Sequence, residues 1–302
     1  FRLLRAAVTA ASSVLLSQEE RTRMGGGLNL NASLLSCRFN MDMCNPNDFA
    51  YYYDPLLGNC FTFDSQRSLA RASSWFGLQL ELFVPAPVAS NMSFATSLGA
   101  NVFVHNRSVR SSLLDGFEVS TGVQTNVIVS RVFTRKQPRP YSDCVKDIEH
   151  ADDQQSIFIR LFREKKMAYR QKDCFNYCFQ RRLVEECGCY ANEYPLMTFD
   201  RPPCAALSFS SYLCQIVTFR AFFQNDLAAN CTQECPLECN SELYSVSTTF
   251  SKYPARVYAE SLLYSHEKLQ KLFVGNNKSS GETKYAVLRD NVLSLNVYYD
   301  EL

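Results

Sequence analysis

The sequence predicts an α+β fold held together by disulfides, and three observations predict it. Residues 60–143 carry apolar side chains at every second position in several short runs, the period of a strand with one buried face. Residues 144–240 hold ten of the thirteen cysteines, many of them set among good helix formers. Five N-x-[ST] triplets accompany those cysteines, a combination that favours an oxidising, extracellular compartment where disulfides persist.

The elements follow in chain order. The opening "FRLLRAAVTAASSVLLSQEE" places Leu3, Ala7, Ala10 and Val14 at helical spacing, an amphipathic start whose stripe serves ordinary packing. It lacks the apolar core and cleavage site of a signal peptide, and a chain that begins without Met reads as part of something longer. Residues 1–59 as a whole read as helices joined by the glycine-rich "MGGGLN". In "GLQLELFV", Leu78, Leu80, Leu82 and Val84 share one face of a strand, and "GANVFVHN" and "VQTNVIVSRVF" behave alike. "AYRQKDCFNYCFQRRLVEECG" is a helix that carries Cys174 and Cys178 on one face at i and i+4. "SKYPARVYAESLLYSHEKLQKLF" starts a second helical segment near Pro254, with the apolar series Val257, Leu262, Leu269 and Phe273. "GNNKSSGET" is a turn, and residues 285–302 return as a strand. No internal repeat or low-complexity tract is present.

Composition excludes several functions. The 31 basic and 30 acidic residues give a net charge of +1 with no polybasic block, so nucleic acid has little electrostatic reason to bind. No apolar run approaches the ~20 residues that cross a bilayer. There is no G-x-S-x-G, no H-E-x-x-H and no phosphate-cradling glycine loop. The acidic stretches "EHADD" at 149–153 and "DEL" at the end read as solvated turns. The forms "RSVR" at 107–110 and "RLFR" at 160–163 match a processing site only weakly.

The cysteines decide between metal, redox and structural roles. They lack paired C-x2-C knuckles, and His105, His150 and His266 stand apart from them, so a metal site is not expected. A redox C-x-x-C is absent too. The remaining role is a staple. Cys231, Cys235 and Cys239 repeat the four-residue spacing of Cys174 and Cys178. Two antiparallel segments would pair in descending order, as Cys178–Cys231, Cys174–Cys235 and Cys144–Cys239. Cys187–Cys214 and Cys189–Cys204 then close nested loops, and Cys37–Cys44 closes a short one, leaving Cys60 over. Of the sequon asparagines Asn31, Asn91, Asn106, Asn230 and Asn277, Asn230 is the weakest glycan site, because Cys231 beside it is tied down.

Several stretches together resemble one family. They are "LLSCRFNMDMCNPNDFAYYYDPLLGNCFTFDS", "GFEVSTGVQTNVIVSRVF", "PYSDC", "CFNYCFQRRLVEECGCYANEYP", "CTQECPLECNSELYSVSTTFSKYPA" and "NVLSLNVYYDEL". In this order they resemble the extracellular region of the degenerin, epithelial sodium channel and acid-sensing channel superfamily, over nearly the whole chain. The C-x3-C-x3-C run and "PYSDC" are nearer to the epithelial and degenerin members. The resemblance implies a single ectodomain with a mixed or antiparallel β palm and β-ball. It implies a finger at 1–59, palm and β-ball at 60–143, a disulfide-stapled thumb at 144–240, a knuckle at 241–273 and a palm strand at 274–302.

The implied function is the sensor and gating region of one subunit of a trimeric, sodium-selective, amiloride-sensitive channel. Its partners would be like or related subunits, sodium ions in a pore outside this chain, and the plasma membrane through flanking helices, with the chain on the extracellular side. No cofactor is implied. Tyr141, three residues before the first thumb cysteine, takes the place of the aromatic that couples thumb to wrist. The family pairs the position of Cys60 with a cysteine that would precede Phe1. Acid-sensing relatives hold carboxylates where this chain has Ser108, Val109, Ile216 and Arg220, flanked by Arg107 and Arg110, with Asp226 alone nearby. The resemblance therefore implies a channel not opened by mild acid through that pocket. The rival reading is a secreted, disulfide-rich ligand-binding protein without a pore.

Overall fold

The computed structural model describes residues 28–54, 57–85, 97–106, 109, 116–146, 148, 156–195, 201–204, 208–224, 227–273 and 281–301, without the side chains of residues 227 and 272. The amphipathic start, residues 1–27, lies outside them.

A six-stranded mixed sheet organises the molecule. Its strands are β1 (Leu34–Phe39), β2 (Asp42–Met43), β5 (Leu78–Phe83), β8 (Val123–Arg135), β9 (Asn240–Lys252) and β10 (Val292–Tyr299), in the order β2-β1-β5-β10-β8-β9. All neighbours are antiparallel except β10 and β8, which run parallel with Ser294 opposite Gln124. Two hairpins stand beside it, β3 (Phe49–Asp54) with β4 (Gly58–Phe63), and β6 (Gly99–Phe103) with β7 (Gly116–Ser120).

The period-two pattern in the sequence predicts which face is core. Val127, Val129, Leu293 and Leu295 are buried with Val119 of β7, and Leu80, Leu82 and Val84 pack against them. The other face meets α6 (Arg256–Ser265), α7 (Glu267–Gln270) and α8 (Gly281–Arg289), where Leu35, Leu262, Leu269, Leu288 and Val292 form a second cluster. Gly77 sits where β5 passes β10. A methyl group there would meet the Val297 carbonyl oxygen at 2.3 Å and Tyr298 Cβ at 2.6 Å, so only glycine allows this approach.

Residues 136–239 form a separate helical body inserted between β8 and β9. It contains α2 (Ile157–Glu164), α3 (Gln171–Cys187), α4 (Phe209–Gln224) and α5 (Leu227–Glu234). The long helix α3 ends on Gly188 in the left-handed conformation, φ 66°, which a Cβ would oppose. It buries Cys174, Tyr177, Cys178 and Leu183 along one face, together with Phe158, Ile159 and Phe162 of α2. Gln180 is buried there too, and the backbone of Ala191 satisfies both ends of its amide at 2.9 and 3.1 Å. Phe179, Phe222 and Phe223 pack edge to face or tilted with centroids 5.1–6.2 Å apart.

Three local expectations are corrected. Residues 30–54 form mainly strands, with only the four-residue α1 (Leu30–Ser33) and a 3-10 turn at Pro46–Asp48 among them as helix. "FAYYYD" is rich in aromatic residues, and ladder pairing of "LLSCRF" to β5 and of "FAYYYD" to β4 outweighs weak helix propensity. Residues 240–252 belong to the sheet as β9, and the helical segment expected near Pro254 begins at Arg256. Val257 is 83% exposed, since it lies five residues from Leu262 and so off its face; Ala259, three residues away, is buried in its place. Residues 285–289 finish helix α8, and the returning strand starts at Val292 after the Asp290–Asn291 corner.

Candidate coupling site

The helical body communicates with the sheet through β8 and β9. These two strands stay paired over thirteen residues, from Val123 opposite Lys252 to Arg135 opposite Asn240. β10 accompanies them only as far as Tyr299, where the Asp300 amide donates to the Val129 carbonyl at 3.1 Å. Beyond Val129 the sheet narrows to a two-stranded ribbon, and its side chains turn outward: Phe133 is 62% exposed and Leu243 64%.

One polar cluster clamps this ribbon. Arg131 of β8 hydrogen-bonds and ion-pairs with Glu242 of β9, and the Tyr244 hydroxyl donates to the same Glu242 oxygen. The other oxygen accepts from the Asn106 amide at 2.8 Å, which ties in the segment after β6. The Arg131 guanidinium also lies over the Phe133 ring at 4.4 Å. The Arg131 hydrogen bond, aided by those of Tyr244 and Asn106, outweighs desolvation and lowers the Glu242 carboxyl to about 2. Glu242 therefore stays ionised through mild acid.

The ribbon ends in a closed knot. The Lys136 amide donates to the Cys239 carbonyl at 2.7 Å, Val145 to Leu237 at 2.7 Å, and Cys239 to Val145 at 2.9 Å. Between them the loop 137–143 folds on itself: the Tyr141 amide donates to the Pro138 carbonyl at 3.0 Å, and the Ser142 hydroxyl to the Gln137 carbonyl at 2.6 Å. Arg139 pairs with Asp143 at 2.8 Å. This short, self-bonded loop presents Tyr141 with 80% of its surface exposed, so the ring does not serve as a buried anchor of its own loop. Behind the knot the base of α3 is fixed by Tyr169, whose hydroxyl donates to the Pro236 carbonyl at 2.6 Å, and by the Gln171 amide, which donates to Glu238 at 2.9 Å.

The structure bonds Cys144 to Cys239, Cys174 to Cys235 and Cys178 to Cys231 as a ladder along the helical body. Cys187–Cys214 and Cys189–Cys204 follow inside it, and Cys37–Cys44 joins β1 to the segment after β2. Cα separations of 4.9–6.0 Å suit disulfides throughout. Cys60 of β4 has no disulfide partner, and burial pushes its thiol up to about 11. Asn31 and Asn230 are exposed, Asn106 is half-buried on Glu242, and Asn91 and Asn277 lie outside the described residues.

Ile216 is half-buried and Arg220 exposed on α4, while Arg107, Ser108, Arg110, His150 and Asp226 are outside the described residues. Arg160–Arg163 lies within α2 with Phe162 buried between the two arginines, a poor conformation for a protease that binds extended chain. Among the described residues no group of three metal-ligating side chains converges, and no helix is long and apolar enough to cross a membrane. Sequence reading missed Glu242 and Arg131. A charged pair two residues apart in cross-strand register becomes visible only once β8 and β9 are aligned.

Comparison with known proteins places this architecture. Residues 9–302 match the family model described as amiloride-sensitive sodium channel. The chain is 27% identical over 296 residues to the epithelial sodium channel subunit gamma-2 of Xenopus laevis, covering 95% of the chain and 41% of that protein. It is 28% identical over 282 residues to the gamma subunit of Pelodiscus sinensis, covering 89% and 38%. It is 25% identical over 288 residues to the alpha subunit of Cavia porcellus, covering 89% and 37%. The chain thus spans about two-fifths of the length of these relatives, which are ion-channel subunits. The family match over nearly the whole chain, together with the six-disulfide α+β architecture, means that the chain belongs to the amiloride-sensitive sodium channel family.

Proposed function

We propose that the chain is the extracellular gating region of a sodium-selective, amiloride-sensitive channel subunit at the plasma membrane, assembled as a homo- or heterotrimer with related subunits. In this reading the helical body 144–240 is the thumb, the sheet is the palm, α6 and α7 belong to the knuckle, and β10 leads toward a membrane helix. One observation supports it above the rest. The helical body enters and leaves the sheet only through β8 and β9, and the knot closing that ribbon displays an exposed Tyr141. A stiff, disulfide-stapled body on a two-stranded stem acts as a lever, and Tyr141 is its contact with the part of the channel nearest the membrane. The likeness to epithelial channel subunits favours this over a secreted binding protein without a pore. Glycans at Asn31, Asn91, Asn106 and Asn277, and a seventh disulfide from Cys60 to a cysteine outside this chain, belong to the same proposal.

The test is Tyr141→Ala in the full-length channel, recorded by patch clamp with surface expression counted in parallel. Stimulated current falls while the surface count holds, and Tyr141→Phe, which keeps the ring, restores it. Unchanged activation in Tyr141→Ala refutes the coupling role. Because Ile216 and Arg220 replace paired acids, a drop from about pH 7.4 to about pH 5 opens no fast transient current in the same recordings.

A further inference from the structure

A cavity of about 450 Å³ lies between the sheet and α6, and its floor is unusually polar. A sheet face under a helix is normally apolar, and at one end this one is, with Phe83, Val292 and Leu35 beneath Leu262. The character then changes along the strands. Register places Ser36 beside Glu81 and Glu81 beside Ser294, and in the next row Arg38 beside Gln79 and Gln79 beside Asn296. These six side chains share one face by the period of two, and all six line the cavity. From above, α6 and its end contribute Tyr258, Ser261, Ser265 and His266.

Two opposite charges face this space without a charged partner among the described residues. The Glu81 carboxylate is half-buried and accepts from Ser36 on one oxygen and from the Tyr253 and Tyr258 hydroxyls, both at 2.7 Å, on the other. Those donors are neutral, and among the described residues no cation pairs with Glu81. Burial and the Glu81 contact push the Tyr258 hydroxyl up to about 12, so it remains a donor. Arg38 is exposed at the rim and has no carboxylate partner among the described residues. Diagonal positions on adjacent strands are ~7–8 Å apart at Cα, a span that a small bifunctional molecule can bridge.

We propose that this cavity binds a small zwitterion of amino-acid type, its ammonium on Glu81 and its carboxylate on Arg38. Charge decides the class. A simple cation would leave Arg38 facing like charge, and a simple anion would meet Glu81. A molecule carrying both charges satisfies each end. The hydroxyls of Ser36, Ser261 and Ser265 and the amides of Gln79 and Asn296 supply the remaining polar lining, and the volume falls in the usual range of ~300–1,000 Å³ for ligand sites. A ligand held there bridges α6 to the sheet, independently of the ribbon and Tyr141.

The test is isothermal titration calorimetry on the detergent-purified full-length protein. The probes are glycine, β-alanine and 4-aminobutyrate, with propylamine and propionate as single-charge controls. At least one zwitterion binds saturably, and Glu81→Gln and Arg38→Gln each weaken it about tenfold or more, as loss of a charge-assisted hydrogen bond requires. Ser261→Phe, which fills the cavity from an exposed helix position, abolishes binding. Absence of saturable heat from all three zwitterions overturns the proposal, as does affinity indifferent to these substitutions or equal for propylamine or propionate. Should Glu81→Gln impair folding, Arg38→Gln and Ser261→Phe, both at exposed positions, decide the matter alone.

Discussion

The disulfide ladder makes a quantitative prediction in which the packing cost of each rung by itself cancels. Consider removing the Cys178–Cys231 rung by replacing both residues with Ala. In the intact protein the neighbouring rung Cys174–Cys235 already holds the two segments together. Cys178–Cys231 then closes a loop of only five residues on each side, ten in all. In the chain-entropy picture such a closure contributes about 2.7 kcal/mol. Now remove Cys174–Cys235 first. The shortest remaining loop runs through Cys187–Cys214, with ten residues on one side and eighteen on the other. The same rung then contributes about 3.6 kcal/mol, so its removal costs about 0.9 kcal/mol more in that background.

The difference is the informative quantity. Cys178 and Cys231 are buried, and their truncation leaves small voids whose own cost cancels in the cycle, leaving the loop term and any coupling between the adjacent voids. The readout is hydrogen exchange of the α3 amides under non-reducing conditions, which reports the opening free energy of the helical body. Four proteins are compared: the parent, each double alanine variant, and the quadruple. Costs that add within about 0.3 kcal/mol, or a smaller cost in the quadruple background, refute the loop argument and assign the ladder's effect to native packing instead.

Two further expectations concern the sheet. Gly77→Ala drives a methyl group into the Val297 carbonyl and Tyr298 Cβ, and because both belong to a central strand neither yields easily. It destabilises the fold by about 2 kcal/mol or more, measured as a fall in the thermal midpoint, and an unchanged midpoint rejects this close approach. Glu242→Gln loosens the ribbon by about 1 kcal/mol, a partly exposed ion pair being worth no more, and speeds exchange of the Arg131–Phe133 amides. The sign with pH follows from the lowered carboxyl. The Glu242 contribution is fully present above the ordinary carboxylate value near 4.5 and is lost as pH falls toward about 2. Ribbon stability contributed by this group is therefore flat from pH 7.4 to 5, and a Glu242-dependent loss within that window contradicts the assignment.

How much of this was legible in the sequence depends on the range of the interactions. The helix bearing Cys174 and Cys178 is written in local spacing, and a short-range pattern suffices to find it. The strand β5 is legible for the same reason, since Leu78, Leu80 and Leu82 alternate with polar residues. Residues 34–54 were misread because "LLSCRF" carries no strict alternation, and its strand character comes from β5, more than forty residues away. The α8 turn Tyr285–Arg289 was absorbed into the strand because "YAVL" is equally at home in either element. The candidate sites were not legible in local spacing. Tyr141 is named only through the family resemblance, which implies an aromatic three residues before the first thumb cysteine. The Glu242 clamp and the Glu81 cavity could not be singled out, for each joins residues on separate elements up to 177 positions apart, as with Tyr258 of α6 and Glu81 of β5.

The position of the narrowing explains why the clamp sits where it does. Up to Val129 the strand β8 is braced on both sides, by β10 and by β9. Past it, β8 keeps one partner, and a lone two-stranded ribbon is marginal in water. Any load from the helical body therefore concentrates at the first unbraced residues, Ser130 and Arg131. Glu242 grips there, gathering a guanidinium from β8, a hydroxyl from β9 and an amide from the segment after β6. At the far end the ribbon is locked again, by Cys144–Cys239 and the backbone bonds around it. The stem is thus fixed at both ends and clamped at its weakest point, so under the proposed lever a displacement of the helical body would rotate the ribbon as a unit instead of fraying it. In the proposed lever, motion would reach the sheet at the place where β10 leaves it, beside Val129, a geometry suited to acting on the last strand.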